Sequence, residues 1–306
     1  MITITDYYLL SDKISRALTF ASLSDIHADK DGEAFKNWNK VNEVLKHSDY
    51  DYMLMPGDLV NDSNYLMDDE FRETFVGQMK GLTNGKYCFV SEGNHDVMTL
   101  EQSKWVEGRH KLLLETLKEV PNIVVLDSLE GVNLNDIDGK SNIHIKGLSL
   151  PYEFYNGLRE KDMYFLEYFS RFLKKDDAHF SENSYNILLL HAIKNYLRLT
   201  KKSSLGLLGN TNLVLGGHYH NGLLPSDMAY KVPGRFGFLS PQMEMFPNNV
   251  RGMATVNETN FISMGPVNYR VETPLINEKF GTNVSFIHIV PSKTFDKCQY
   301  YRVRRK

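Results

Sequence analysis

Five short polar clusters in this chain each stand at the carboxyl end of an apolar run. They are Asp25-Ile26-His27 after LTFASLS, Gly57-Asp58 after YMLMP, Gly93-Asn94-His95-Asp96 after YCFVSE, His191 after ILLL, and Gly217-His218-Tyr219-His220 after LVLG. The apolar runs Leu18 to Leu23, Tyr52 to Met55, Tyr87 to Val90, Ile123 to Leu126, Ile143 to Leu150, Ile187 to Leu190, Leu213 to Leu215 and Val284 to Ile289 have the length and the β-branched or aromatic content of buried strands. Ligand crevices in α/β sheets form beyond the carboxyl ends of strands. Clusters far apart in the chain are therefore expected to meet in space.

The spacing within the clusters favours metal ligation. Asp25 with His27, and His218 with His220, stand at i and i+2, so both side chains leave an extended backbone on the same side. Glycines at 57, 93, 216 and 217 remove Cβ atoms where the chain must turn closely around the site. Two carboxylates, four imidazoles and one carboxamide are about twice the donors a single ion needs, which suggests two ions sharing a bridging carboxylate. The donors are mixed nitrogen and oxygen with no thiolate, a set suited to divalent or trivalent transition ions such as Mn, Fe or Zn.

Between the runs lie helix candidates. Residues 101 to 120 place Trp105, Leu112, Leu113, Leu117 and Val120 on one face before Pro121, and residues 157 to 175 do the same with Leu158, Phe165, Leu166, Phe169, Phe172 and Leu173. Strands alternating with helices predict an α/β fold. With no Pro/Gly/Ser-rich linker or internal repeat, residues 1–306 read as a single domain. The texture changes over residues 221–282, where prolines, glycines and scattered aromatics suggest an elaborated loop region over the site, with weak strand signals at Met253 to Asn257 and Asn260 to Met264. Tyr300 to Lys306, basic through Arg302, Arg304, Arg305 and Lys306, reads as a solvated tail.

These clusters resemble the calcineurin-like metallophosphoesterase family, whose ordered pattern DxH, GD, GNH[DE], H and GHxH is present as DIH, GD, GNHD, H and GHYH. The resemblance implies a central β-sandwich of mixed sheets flanked by helices. It implies that Asp25, His27 and His220 bind a first ion, that Asp58 bridges, and that Asn94, His191 and His218 hold the second. His95 would face the substrate, oriented by Asp96. Two such ions make hydroxide available near neutral pH for attack on a phosphoester, and His95 would assist the leaving group. The segment after GHYH looks like the bacterial branch that includes phosphodiesterases and UDP-diacylglucosamine pyrophosphohydrolases. That branch carries GHTHGGQ where Gly217-His218-Tyr219-His220-Asn221-Gly222-Leu223 stands here, so Tyr219 and Asn221 are expected to alter the pocket rim.

Rival readings fit less well. Protein Ser/Thr phosphatases of the same superfamily carry an Arg in GDxVDRG and another in RGNHE. The matching positions hold Gly57-Asp58-Leu59-Val60-Asn61-Asp62-Ser63 and Ser91-Glu92-Gly93-Asn94-His95-Asp96, without the two guanidiniums that grip a phosphoryl group. A nuclease needs a basic groove, but 35 basic residues stand against 38 acidic ones and the tight basic clusters are short, so no extended nucleic-acid surface is expected. A non-catalytic scaffold on this fold would have lost ligands or the substrate-facing imidazole, and all these positions are intact. A small phosphorylated substrate is the expected partner. His47, His110, His144, His179 and His288 lie outside every cluster and read as structural or surface residues. With two cysteines, Cys88 and Cys298, no apolar stretch long enough to span a bilayer and no signal-peptide core, the chain is expected in the cytoplasm.

Overall fold

The computed structural model describes residues 1–99, 104–105, 109–126, 131–150, 155, 180–194, 196–197, 210–229, 231–232, 235–240, 244–269, 280–294 and 300–305. The strands, in chain order, are β1 Ile2–Ser11, β2 Leu18–Ser22, β3 Tyr52–Met55, β4 Cys88–Val90, β5 Met98–Thr99, β6 Lys104–Trp105, β7 Ile123–Val125, β8 Gly131–Asn133, β9 Ile143–Gly147, β10 Tyr185–Leu189, β11 Leu213–Gly216, β12 Gly252–Val256, β13 Thr259–Ser263, β14 Thr282–Pro291 and β15 Tyr300–Arg305. One sheet runs β15-β1-β14-β2-β3-β4-β7 and the other β12-β13-β11-β10-β9-β8, while β5 and β6 pair as a two-residue ladder. Within each sheet the strands bearing the polar clusters run parallel to one another, β2 to β3 to β4 in one and β10 to β11 in the other, with β9 parallel beside β10. Their carboxyl ends therefore open on one side.

Alternation along these strands builds three apolar layers. Phe20, Leu54 and Phe89 of the first sheet face Ile187, Leu189, Leu213 and Leu215 of the second, forming the interior of a sandwich. The intervening residues Ala21, Met53, Met55, Cys88 and Val90 point the other way, onto helices α1 (Glu33–Lys46), α2 (Asp69–Thr83) and α4 (Arg109–Lys118) through Trp38, Val41, Phe75, Leu113 and Leu117. Leu188, Leu190 and Val214 of the second sheet cover Ile193, Tyr196 and Leu197. Strands buried on both faces must be apolar at nearly every position, which is why all eight expected runs appear as strands.

Three expectations are corrected or extended. The helix expected over 101 to 120 occupies Arg109–Lys118, and Trp105 lies on β6 opposite Met98 instead of on the helix. Within 221–282, the two weak signals become the antiparallel pair β12 and β13, with β13 joining β11 in parallel, so part of that region belongs to the sheet. The supposed tail is strand β15, antiparallel to β1. The helix expected over 157–175 lies outside the described residues.

An interrupting charge hid β1. Asp6 is 3% exposed in the middle of this strand. It faces Phe286 on β14 and Arg302 on β15, and the diagonal neighbours two residues on supply its partners. Arg304 Nε and Nη2 donate to its two oxygens at 2.6 and 2.8 Å, and His288 Nε2 lies 3.2 Å from Oδ1. His288 also meets Thr19 Oγ1 at 3.0 Å and stacks on Tyr8, which makes it a structural histidine. Burial works to raise the Asp6 carboxyl, but the bonds from His288 and Arg304 hold it below the ordinary value.

A depressed carboxyl contributes stability that is complete above its unfolded pKa, about 3.9, and is lost as pH falls through the folded value. Arg304→Met should cost about 1–2 kcal/mol at neutral pH, an estimate discounted for solvent screening because the Arg304 side chain is 46% exposed. Urea melts of the two proteins should separate fully above about pH 4 and converge below it. Equal midpoints at pH 7 would show that the pair does not fasten β15.

Candidate metal centre

The loops after β2, β3 and β4 of one sheet and after β10 and β11 of the other bring all seven expected ligands to one buried place. Asp25 is 0%, Asp58 1%, His191 0%, His27 4%, His218 4%, and His220 and Asn94 7% exposed. Two of the groupings whose ligand atoms lie close enough to share an ion are Asp25, His27 and His220, and Asp58, His191 and His218. A third, His27, Asp58 and His95, overlaps both. Asn94 opens the short helix α3 (Asn94–Val97), beside these groups in sequence.

Ligand atoms crowd one another. His27 Nε2 and His220 Nε2 stand 3.1 Å apart, and His220 Nε2 is 3.2 Å from Asp25 Oδ1. Asp58 Oδ2 is 2.9 Å from His191 Nε2 and 3.7 Å from His27 Nε2, so one carboxylate oxygen reaches toward both groups. His191 Nε2 lacks the alignment of a hydrogen bond to that oxygen, as expected for two lone pairs converging on a third atom. The opposite nitrogen, Nδ1, lies 2.8 Å from Pro56 O, which places the proton on Nδ1 and leaves Nε2 as the ligating atom. Nitrogen and oxygen donors crowded in this way fit a pair of transition-metal ions.

The charge state fits as well. Burial, reinforced by His95, holds the His27 imidazole well below its ordinary pKa, and burial with His191 pushes His218 down to about 3. Both are then neutral, the form a cation binds. His191 differs: burial opposes its protonation, but the charge and contact of Asp58 prevail and push it up to about 9, so a proton there stands where a cation would and would be released on metal binding. Burial would also raise Asp25 and Asp58, yet the imidazoles, His220 at Asp25 and His191 at Asp58, hold both carboxyls low.

Backbone geometry is unusual at five of the seven positions. Asp25, His27, Asp58, His218 and His220 have φ of 55°, 46°, 55°, 72° and 45°. Among residues other than glycine, Asp, Asn and His tolerate this left-handed region best, so the residue types that ligate are also those the turns can accept. Close approach does the rest. A Cβ on Gly93 would strike the Asp58 carboxylate, and one on Gly217 would strike Ser24 and the Asp25 carboxylate.

The role expected for Asp96 is corrected. Its Oδ2 accepts the N–H groups of Asp58 and Gly93, both at 2.8 Å, and its Oδ1 those of Leu59 and Val60 at 2.8 and 3.1 Å. Asp96 therefore clamps the turns that carry Asp58 and Asn94. Burial and the Asp58 charge raise its carboxyl against the pull of Gly93 and Val60, but four converging donors suit only an ionised acceptor. The His95 ring is oriented instead by the Asn61 carbonyl, 2.7 Å from Nδ1, while the main-chain N–H of His95 donates to Asp58 Oδ1 at 2.8 Å. Because Asn61 acts through its main chain, no residue-type signal marked it. Tyr219 and Asn221 do not form a rim: Tyr219 is 1% exposed with its hydroxyl accepting from the Lys194 N–H, and Asn221 is fully buried, donating to Tyr269.

A cluster of carboxylates and imidazoles shared between the ends of two packed sheets defines a metal-dependent hydrolase. The calcineurin-like phosphoesterase model matches residues 18–222, and the chain belongs to that family, whose members are metal-dependent phosphoester hydrolases with a dinuclear centre. No curated protein matches the chain. Among solved structures it is similar to the phosphopantetheinyl hydrolase PptH from Mycobacterium tuberculosis, at 12% identity over 92% of this chain and 98% of that one, with a TM-score of 0.47. It is similar to a dimetal phosphatase from Danio rerio at 13% identity over 83% and 88%, TM-score 0.45. It is also similar to the NAD nucleotidase NadN from Haemophilus influenzae at 14% identity over 82% and 51%, TM-score 0.43.

The close approach of Gly93 to Asp58 yields a test of the geometry alone. Gly93→Ala should displace the Asp58 carboxylate and lower bound metal to less than two ions per chain, while far-UV circular dichroism keeps its wild-type shape. Full metal content in the purified variant would mean that Asp58 has room to move.

Proposed function

We propose that this chain hydrolyses a small phosphomonoester or phosphodiester at two transition-metal ions, with Asp25, His27 and His220 holding one, Asn94, His191 and His218 the other, and Asp58 joining them. The observation that carries this reading is the single Asp58 oxygen standing within reach of both imidazole groups in a buried pocket. When bound, the two cations would acidify water near neutral pH and draw charge from the phosphoryl oxygens. Mn, Fe or Zn suits the donors. Composition and the buried thiol of Cys88 support a reducing, cytoplasmic setting, and among the described residues no helix is long and apolar enough to cross a membrane.

His95 serves the leaving group. The Asn61 carbonyl engages the proton on Nδ1, so a second proton would be carried on Nε2, from which it could be given up as the ester bond breaks. The aromatic residues Phe236, Phe238 and Phe246, which are 45%, 52% and 65% exposed, line the substrate approach. Their segment is fastened to the centre where Phe238 N–H donates to Gly222 O at 2.7 Å, two residues beyond His220. Tyr230, an aromatic of the same segment, lies outside the described residues.

The function is tested with Mn²⁺-loaded protein on p-nitrophenyl phosphate, bis-p-nitrophenyl phosphate, cyclic nucleotides, UDP-sugars and single-stranded DNA, comparing kcat/KM. Chelation should abolish turnover. Asp58→Asn should do the same and bring bound metal well below two ions per chain, because both sites lose the shared charge. Wild-type turnover with both ions retained in that variant would remove Asp58 from the bridging position.

His95→Ala should keep both ions yet lower kcat by about 10²- to 10⁴-fold, with KM moving much less. The loss should shrink for p-nitrophenolate esters, whose leaving group scarcely needs a proton, and appear in full for an alkoxide. An equal defect with both leaving groups would exclude the acid role.

A further inference from the structure

The three parallel strands β9, β10 and β11 end side by side, and the chain beyond β10 and β11 supplies His191 and His218. The chain beyond β9 supplies Tyr155. This tyrosine is 5% exposed, with its ring edge-on to His218 at a centroid separation of 5.2 Å and tilted against His191 at 6.1 Å. Its hydroxyl is buried and has no hydrogen-bond partner among the described residues. It lies within electrostatic reach of the Asp58, Asp96 and Glu92 carboxylates.

Leaving a buried hydroxyl unmet costs stability, and Phe would fill the same space without that cost. The neighbouring phenols are paired: Tyr219 accepts from Lys194 N–H, and Tyr269 donates to Leu224 O. Of these three hydroxyls, that of Tyr155 is the one with no hydrogen-bond partner among the described residues, and it stands beside the proposed ligands. A neutral O–H donor in a buried, largely dry pocket is suited to an oxygen that gains negative charge during reaction.

We propose that the Tyr155 hydroxyl donates a hydrogen bond to a non-bridging phosphoryl oxygen of the substrate on the His191 and His218 side of the centre. The assignment rests on the phosphoesterase reading above and adds a catalytic residue to it. It supplies part of the phosphoryl grip that two arginines provide in the protein phosphatases and that this chain lacks at the matching positions.

The test compares wild type with Tyr155→Phe, both full-length and Mn²⁺-loaded. Metal content should stay at the wild-type level, and Tm should hold or rise because an unmet buried donor has been removed. Calorimetry with inorganic phosphate as the probe should show about tenfold weaker binding, equivalent to about 1.4 kcal/mol. The kcat/KM should fall about 10- to 100-fold, and equally for p-nitrophenolate and alkoxide esters, since the bond is made to an oxygen that does not leave. That leaving-group independence separates Tyr155 from His95. Unchanged phosphate affinity and unchanged kcat/KM would overturn the proposal. So would loss of an ion or a fall in Tm, either of which would show the hydroxyl serving the metal or the fold. If neither protein hydrolysed any ester while phosphate still bound wild type more tightly, the function proposed above would fail and the contact made by Tyr155 would stand.

Discussion

The carboxylate of Asp96 is the fixed point of this structure. It gathers four main-chain N–H groups from two turns, one after β3 and one after β4. Those turns carry Asp58 and the Asn94-His95 pair, so the spacing between the proposed bridge, a proposed ligand and the substrate-facing imidazole is set by one side chain. The second sheet is tied to the first in the same manner. Asp25 accepts the His218 N–H at 2.9 and 3.1 Å, and His191 Nδ1 is held by Pro56 O. Each of these contacts crosses between loops that no local sequence rule could pair. Together they convert two sheets, joined chiefly by apolar packing, into one rigid polar seam at their carboxyl ends.

Legibility of this chain divides along the same line. Strands whose residues are buried on both faces had to be written as apolar runs, and those runs could be read. The residues ending them could be read too, because metal ligation restricts a position to very few residue types. Other parts were hidden by partners distant in sequence. β1 was obscured by Asp6, whose neutralising Arg304 is nearly the whole chain away, and β15 looked like a charged tail until Asp6 gave one of its arginines a task. The error at Asp96 has a similar origin. Adjacency in GNHD suggested a carboxylate for the imidazole, but in the turn that opens α3 the two side chains diverge, Asp96 toward main-chain donors and His95 toward Asn61 O. Tyr155 escaped notice because phenols are common on apolar elements and its number in the chain lies eight residues past β9, not directly at the strand end.

Five proposed ligands held in left-handed backbone, each costing on the order of 1–2 kcal/mol for an ordinary residue, imply that this seam is not built for stability. Its carboxylates are buried, its imidazole nitrogens face one another, and Asp58 stands against His191 without a proper hydrogen bond. In the absence of a cation these features oppose folding, and they persist because apolar layers on both sides of each sheet outweigh them. A cation bound by these residues would reverse the balance by giving their lone pairs a partner, so its binding energy would also be folding energy. The strain also has a chemical use. A centre whose ligands cannot relax toward one another keeps its donors apart and pointed inward, and its geometry is then already paid for when substrate arrives.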